Sequence, residues 1–191
     1  RGAAPVPWAL LHGEKQTGVT LFWIVEGLDT GPIQRQSVLE IGEDENATEL
    51  LGRLVVLGTQ ELALGLNELA SGHVRRTAQS GESSLAPKLD SRLSSLNFTL
   101  SAKEFHNRVR GLVLGPRAVL VLKFPNRHQR LGVLKTLVHS DLPSGNARAG
   151  QIMAVEPQKG ILLQCSLGQL WLQEVQPEGG KKLLAIDFSM G

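Results

Sequence analysis

The sequence predicts a chain of two parts, an α/β segment followed by a small β-barrel or β-sandwich. In the first part, an apolar run at residues 21–25 leads into a glycine-rich turn and then into a helical stripe of leucines. From Ala118 onward, short apolar runs alternate with clusters of Pro, Gly, Asn and Ser, which is typical of a small all-β domain. Charge divides the chain as well, because residues 1–70 carry four basic and ten acidic side chains and residues 71–191 carry sixteen and eight.

These three changes of pattern set the predicted boundaries. Residues 1–70 form the first domain, residues 71–95 a linker, and residues 96–191 the second domain. Within the linker, residues 80–84 are expected to be the least structured because only Ser, Gly and Glu occur there.

The first domain is predicted to begin with a short helix at residues 5–13, since Pro5 suits a first turn and Gly13 a C-terminal cap. The run Leu21-Phe22-Trp23-Ile24-Val25 is apolar throughout, so we expect a short buried strand. A second strand is expected from Ile33 to Ile41, where apolar and polar residues alternate loosely.

A long helix is predicted to follow and to end near Gly72. Its start is acidic, which favours the helix dipole, and either Asn46 or Thr48 could cap it. Its leucines recur at helical spacing and are expected to pack on the sheet: Leu50, Leu51, Leu54, Leu57, Leu62, Leu66 and Leu69.

The second domain is predicted to open with a helix capped by Ser101, with Glu104 completing a capping box and Phe105, Val109 and Leu112 facing inward. Five short strands should follow, separated by turn-forming residues, at residues 119–122, 131–138, 150–155, 161–165 and 169–175. Cys165 lies in an apolar strand pattern and is expected to be a small buried hydrophobe rather than a nucleophile.

The turn after the first strand is the strongest candidate site in the chain. It places Asp29 between Gly27 and Gly31, at the end of a predicted strand, where α/β proteins usually bind ligands. An acidic residue in a glycine-rich turn is most often only a turn former, so this motif alone is weak evidence.

Several motifs in a fixed order strengthen that evidence. Each resembles a motif of the methionyl-tRNA formyltransferase family, and together they extend over the whole chain: Arg1-Gly2-Ala3-Ala4-Pro5, Gly27-Leu28-Asp29-Thr30-Gly31, Ala86-Pro87-Lys88-Leu89, Asn107-Arg108-Val109-Arg110-Gly111 and Gln176-Pro177-Glu178-Gly179-Gly180-Lys181-Lys182. The resemblance implies the remnant of a Rossmann-like formyltransferase domain followed by an OB-like β-barrel.

The resemblance also implies a reaction, the transfer of a formyl group from 10-formyltetrahydrofolate to the methionine of initiator tRNA. Asp29 matches the family's catalytic Asp, which holds the protonated form of a His and helps to order a proton-relaying water. The carried-over residues for the folate co-substrate are Arg1, Gly2, Glu26, Gly27 and Leu28. The family's catalytic Asn and His lie in a segment before the motif at Arg1, so we expect these 191 residues alone to be inactive.

The basic second domain suits initiator tRNA as a partner, although scattered basic side chains can also be a plain solvated surface. Aromatic residues are only 4% of the chain, so contact with the backbone of an acceptor stem fits better than base stacking. The candidate tRNA-binding residues are Arg108, Arg110, Arg117, Lys123, Arg127, Arg130, Lys135, Lys181 and Lys182.

Other kinds of site and function receive less support. One Cys and scattered His residues do not predict a metal site, and no apolar run is long enough for a membrane span. The family implies a monomer in the bacterial cytoplasm or in the mitochondrial or plastid matrix.

Three alternative functions remain open. The pairs Phe22-Trp23 and His106-Asn107 resemble formyltetrahydrofolate hydrolases and dehydrogenases more than typical tRNA formyltransferases. A sugar-amine formyltransferase and an RNA-binding module without catalysis are the other two. Departures from the family pattern occur at Leu85, where the family has Tyr, at Leu114-Gly115-Pro116, and at Gly180, an extra residue that should lengthen a hairpin.

Overall fold

A two-stranded ribbon and one long helix form the N-terminal unit in a computed structural model that describes residues 2–124, 127–142 and 146–190. Strand β1 (Gln16–Phe22) pairs antiparallel with strand β2 (Ile33–Glu40), so that Gln16 lies opposite Glu40 at one end and Phe22 opposite Ile33 at the other. Helix α1 (Pro5–Leu11) precedes the ribbon and helix α2 (Ala47–Ala70) follows it.

The predicted buried strand at residues 21–25 is wrong in both extent and burial. β1 begins earlier and ends at Phe22, and its side chains alternate between exposed and half-buried. Ile24 is 94% exposed and Val25 is exposed as well. The apolar composition of residues 21–25 predicts burial. In the described structure β1 pairs with β2 alone, in a two-stranded sheet, and residues 23–25 lie beyond its end.

Helix α2 begins where its capping residues predict. The Asn46 side chain accepts from the backbone N–H groups of Thr48 and Glu49, and Glu49 returns a bond to the Asn46 backbone, which completes a capping box. The helix ends at Ala70, close to the predicted end at Gly72.

Only part of the leucine stripe on α2 is buried, so the prediction for it is partly wrong. Leu50 and Leu54 are buried in a small core with Ala9, Leu10 and Ile41. Three of the predicted residues are exposed instead: Leu51, Leu62 and Leu66. Towards the C-terminal end, the face of α2 on the ribbon carries Glu61 and Gly65 in place of leucines.

The C-terminal unit begins with helix α3 (Ala102–Gly111), whose predicted capping box between Ser101 and Glu104 is confirmed. The strands and the last helix follow in chain order: β3 (Val119–Phe124), β4 (Arg127–Ser140), β5 (Ile152–Glu156), β6 (Gly160–Gln164), β7 (Gln169–Pro177), β8 (Leu183–Leu184) and α4 (Ala185–Met190). Each of the five predicted strands therefore overlaps an observed one.

The predicted OB-like barrel is not confirmed. The strands form a sheet in the order β3-β4-β7-β6-β5, with β8 also pairing with β7, and all pairs are antiparallel. Within the described residues, β3 and β5 are the ends of this path and do not pair, so the sheet is open. The other part of the predicted fold class is the remnant of an α/β domain. The ribbon and α2 are compatible with part of such a domain.

The larger core lies between α3 and the sheet of the C-terminal unit. Phe105, Val109 and Leu112 are buried there, as predicted from their spacing. Cys165 is buried in the same core, and burial raises the pKa of its thiol to about 12. A thiol with that pKa stays protonated near neutral pH, which agrees with a packing role.

No helix in the described part of the chain is both long enough and apolar enough to cross a membrane.

Candidate functional site

Asp29 lies in the connection between β1 and β2, at the end of the ribbon where Phe22 faces Ile33. The Trp23 backbone N–H donates to the Pro32 carbonyl at 2.9 Å, which closes the base of the connection. Asp29 has φ 54°, and it is the one non-glycine residue in the described ranges with a left-handed backbone. Asp tolerates this conformation better than most residues because its short polar side chain suits a turn.

Two glycines make this tight turn possible. A Cβ on Gly31 would lie 1.6 Å from the Trp23 carbonyl oxygen, and one on Gly27 would lie 2.3 Å from the Thr30 Oγ1. The Gly31 contact is with backbone, so that position excludes a side chain while the turn keeps this shape, whereas at Gly27 the Thr30 side chain would have to move. The sequence therefore identified the turn correctly, although the strand before it ends at Phe22 and not at Val25 as predicted.

The Asp29 carboxylate itself is exposed and accepts no hydrogen bond from any residue in the described ranges. Beside it, Leu28 is 89% exposed and Glu26 is also exposed. The Asp29 backbone is thus held in a tight turn, while both oxygens of the Asp29 carboxylate remain available to a ligand. Whether Asp29 is catalytic, and whether Glu26, Gly27 and Leu28 bind a co-substrate, remain predictions.

The predicted linker runs along this site instead of leaving it. Gln79 donates from Nε2 to the Asp29 carbonyl at 2.8 Å and to the Gly31 carbonyl at 2.7 Å. Further along, the Ala86 carbonyl accepts from the Ala4 N–H at 3.1 Å, and a Cβ on Gly2 would lie 2.5 Å from the same oxygen. One segment therefore contacts both sides of the predicted folate rim; Arg1, also predicted there, lies outside the described residues.

Sequence reasoning missed Gln79 and the residues that hold it. The Trp23 indole Nε1 donates to the Arg75 carbonyl at 2.8 Å, and the Arg76 guanidinium lies 4.6 Å from the centre of the Trp23 ring. A glutamine in a polar loop carries no periodic signal, and nothing in the sequence shows which carbonyls its amide reaches. The indole N–H of Trp23, which needs an acceptor, was the only available hint.

A second polar cluster joins α3 to the loop before α2. The Arg110 guanidinium donates to the carbonyls of Gly42 at 3.0 Å and Glu45 at 3.1 Å, and its Nε donates to the Asn107 side chain at 2.8 Å. His106 contacts the Glu43 carbonyl from Nε2 at 3.1 Å. We call this set the α3–loop contact.

Burial lowers the pKa of His106, and the nearby Arg110 charge lowers it further. The hydrogen bond to the Glu43 carbonyl and the Asp44 carboxylate, 3.4 Å from Nε2, raise that pKa in part. Burial is the largest of these effects because only 4% of the residue is exposed. His106 is therefore a neutral structural histidine near pH 7.

Two residues of the predicted nucleic-acid surface, Arg110 and Arg108, are bonded within the protein. Arg110 is buried, and its Nε and Nη1 donate to Asn107, Gly42 and Glu45, so little of the side chain is exposed to a partner. Arg108 is half-buried and donates to the Ser95 carbonyl at 3.0 Å. The predicted basic residues whose side chains are exposed are Arg117, Lys123, Arg130, Lys135, Lys181 and Lys182; the Arg127 side chain lies outside the described part.

Several of these exposed cations lie around the turn between β7 and β8. The Gln176 side chain accepts from Arg117 and donates to the Gly180 carbonyl at 3.0 Å, which fixes the turn against Arg117. Lys182 pairs with Glu174 at 2.6 Å, and Arg130 lies 4.0 Å from Glu178. The basic surface is therefore partly neutralised by carboxylates.

A cleft of about 900 Å³ lies away from Asp29. It lies between the start of α2 and the C-terminal sheet, and both signs of charge line it, among them Glu45, Glu49, Arg117 and Lys135. Loop 42–46 adjoins the end of the ribbon where Gln16 faces Glu40, whereas Asp29 adjoins the other end. Seven residues of strand separate the two ends by roughly 20 Å. The candidate site predicted from the sequence, at Asp29, therefore lies outside this cleft.

No group of three or more His, Cys, Asp and Glu side chains in the described residues is placed to hold a metal ion.

Comparison with protein families gives two matches in chain order. A family model described as formyl transferase matches residues 1–64, and one described as formyl transferase, C-terminal domain, matches residues 88–191. The chain is also 36% identical, over 191 residues, to the methionyl-tRNA formyltransferase of Thermodesulfovibrio yellowstonii. That alignment covers 100% of this chain but 59% of the relative, so the chain spans about three fifths of the relative's length.

Solved structures share the fold at low sequence identity. HypX from Aquifex aeolicus in complex with tetrahydrofolic acid matches with a TM-score of 0.68 and 17% identity, over 98% of this chain and 32% of that one. An N-formyltransferase from Helicobacter canadensis, in complex with folinic acid and dTDP-3-aminofucose, matches with a TM-score of 0.67 and 17% identity, over 91% and 61%. At these identities the likeness shows the fold alone.

Proposed function

This chain belongs to the formyl transferase family, and from that premise we propose that the protein transfers a formyl group from 10-formyltetrahydrofolate to the amino group of methionyl initiator tRNA. The observation that carries the proposal is Asp29, an exposed carboxylate in a left-handed turn where Gly31 leaves no room for a side chain, in the segment that the formyl transferase model matches. The name of the 36% identical relative supports the choice of acceptor.

The reaction needs a carboxylate of this kind. The amine attacks the formyl carbon, a nitrogen–carbon bond forms, and the bond to the folate nitrogen breaks; the amine loses a proton and the folate nitrogen gains one. We assign to Asp29 the task of directing these proton movements, by favouring the protonated form of an imidazole or by ordering a relaying water. The catalytic His and Asn that the family resemblance implies match no motif of these 191 residues.

The surroundings of Asp29 fit a folate rim. Ile24 and Leu28 expose apolar side chains that can cover a flat heterocycle, and Glu26 and Gly27 add polar side-chain and backbone groups. Gly2 lies against Ala86, in the segment that also carries Gln79. The solved relative from Aquifex aeolicus binds tetrahydrofolic acid by its description, which supports a folate co-substrate here.

The acceptor is proposed from charge. The exposed cations around the β7–β8 turn, Arg117, Arg130, Lys181 and Lys182, offer contacts to a phosphate backbone. A sugar-nucleotide amine is the second candidate acceptor, because the Helicobacter canadensis enzyme is described in complex with such a ligand. We favour tRNA because its many phosphates can contact basic side chains that are spread over the surface of the C-terminal unit.

A formylation assay on the natural gene product that contains these residues tests the function. Methionyl initiator tRNA and a dTDP-amino sugar are offered in parallel with 10-formyltetrahydrofolate. Asp29→Asn should lower the turnover of tRNA roughly 100-fold or more, because the amide cannot take up or steer a proton. Asp141→Asn, an exposed Asp of the C-terminal unit, serves as the control and should retain full activity.

Two results would refute the proposal. Formylation of the amino sugar without formylation of the tRNA would show that the acceptor is not tRNA. Full activity of Asp29→Asn would show that the Asp29 carboxylate is not needed for the reaction. The 191-residue chain alone is expected to show no turnover, because none of its motifs supplies the catalytic Asn and His that the family resemblance implies.

A further inference from the structure

The turn at Asp29 must be held by contacts from outside itself. A left-handed backbone is unfavourable for a non-glycine residue and persists only where the surrounding structure enforces it. The turn-enclosing glycines allow the shape but do not impose it, since glycine also adopts many other conformations. An enforcing contact is therefore required at the residue whose carboxylate must be positioned.

Gln79 makes that contact. Its Nε2 donates one hydrogen bond to the carbonyl of Asp29 at 2.8 Å and one to the carbonyl of Gly31 at 2.7 Å. Both N–H groups of one planar amide are used, so the spacing of the two carbonyls on either side of Thr30 is fixed. In the described ranges, no other side chain donates a hydrogen bond to residues 27–31.

Gln79 is itself fixed by the segment that leads to it. Thr77 exchanges two backbone hydrogen bonds with Ile33, of 2.7 and 3.0 Å, at the start of β2. Two residues before that, the Arg75 carbonyl accepts from the Trp23 indole, and Arg76 lies over the same ring. Residues 75–79, which we call the clasp, are thus attached to the start of β2 and to Trp23, the residue after the end of β1. In an extended chain, Gln79 projects on the same side as Thr77.

We propose that Gln79 is a positioning residue that holds Asp29 in its left-handed conformation and so aims the carboxylate at the reacting amine. The inference rests on the proposed function of Asp29 and adds to it a residue outside both family matches, which end at residue 64 and resume at residue 88. The clasp lies between the two matched regions. The segment that joins these regions therefore also holds the turn at Asp29.

Two substitutions of Gln79, one without and one with N–H donors, distinguish a role in positioning Asp29 from a general role in stability. Gln79→Glu has nearly the same shape but presents acceptors to two carbonyls, whereas Gln79→Lys keeps N–H donors. In the natural gene product, Gln79→Glu should lower kcat about 10-fold to 100-fold, with the KM values for both substrates within about 3-fold, since a small misplacement acts on the reacting geometry. Gln79→Lys should restore most of the loss, and Gln158→Glu, an exposed glutamine of the C-terminal unit, is the matched control.

Hydrogen exchange provides a readout that does not depend on activity. In Gln79→Glu, the Trp23 amide, which donates to the Pro32 carbonyl at the base of the turn, should exchange at least about 10-fold faster, while the amides of α2 stay unchanged. Unaltered exchange in the turn, or faster exchange with unaltered kcat, would overturn the proposal. If the wild-type protein formylates neither acceptor, the proposed function fails, and the exchange experiment still decides whether Gln79 holds the turn.

Discussion

His106 illustrates at the residue scale how a buried ring nitrogen acquires a defined role. A carbonyl oxygen only accepts, so Nε2 must carry the proton that goes to Glu43. In the neutral ring Nδ1 then accepts from the Thr136 hydroxyl, at 2.9 Å. The contacts select one tautomer, and burial disfavours the charged form. The sequence placed His106 in a motif, but only the contacts show that it stabilises the fold instead of reacting.

A pH dependence of stability follows from the lowered pKa of His106. The folded pKa lies below the unfolded value of about 6.5, so the folded chain binds fewer protons between the two values. The stabilisation is fully present above pH 6.5 and is lost as the pH falls through the folded pKa, by about 1.4 kcal/mol per pH unit in that window. Urea unfolding of the 191-residue chain at pH 7.5 and pH 5 measures this loss. It should shrink in His106→Gln but persist in His128→Gln, where an exposed histidine of β4 is replaced.

At the scale of the element, α2 shows why a hydrophobic stripe overestimates burial. Its capping residues and its period were read correctly, because both depend on neighbours within one helix. The number of leucines that are buried depends on how wide a surface packs against the helix. Here the two strands β1 and β2 cover only a narrow strip of α2. Towards its C-terminal end the covered strip is polar, with Glu61 paired to Arg35 at 2.8 Å.

Adjacent leucines on α2 allow a direct test of this division. Leu50 is 0% exposed and Leu51 is 40% exposed, although the sequence pattern favours burial of both. Leu50→Ala should lower the free energy of unfolding by about 2–5 kcal/mol through lost contacts and a cavity. Leu51→Ala should lower it by less than about 1 kcal/mol. Equal losses in urea unfolding would show that Leu51 is covered in solution.

At the scale of the whole molecule, the packing of α1 on α3 and a polar contact join the two units. The two buried clusters of the described residues are separate, but Leu11 of α1 packs on the larger one, and Leu10 and Leu11 lie close to Gly111 of α3. The α3–loop contact places a buried guanidinium on two carbonyls of the opposite unit. Because a buried guanidinium without acceptors is costly, this contact helps to fix how the units meet.

Arg110→Ala should therefore loosen the N-terminal unit selectively. We expect a loss of about 2–3 kcal/mol, since charged hydrogen bonds disappear and the Gly42 and Glu45 carbonyls lose their partner. Hydrogen exchange should accelerate in residues 42–50 and remain unchanged in β7. Lys103→Ala, an exposed substitution on the same helix, is the control. Uniform acceleration throughout the chain would instead indicate a general loss of stability.

The sequence alone determined the features that depend on near neighbours along the chain. These are the caps at Asn46 and Ser101, the positions of the strands in the C-terminal unit, and the glycine-enclosed turn at Asp29. Such features follow from backbone preferences and from hydrogen bonds that span only a few residues.

Only the tertiary structure decided which side chains meet across long stretches of chain. It buried Arg110, which the sequence had assigned to a nucleic-acid surface, and it left Ile24 exposed beyond the end of β1. It also brought Gln79 to a carbonyl 50 residues away in the chain. The physical reason is that burial and hydrogen-bond pairing depend on which surfaces come together, and a local pattern states only which side chains could be covered.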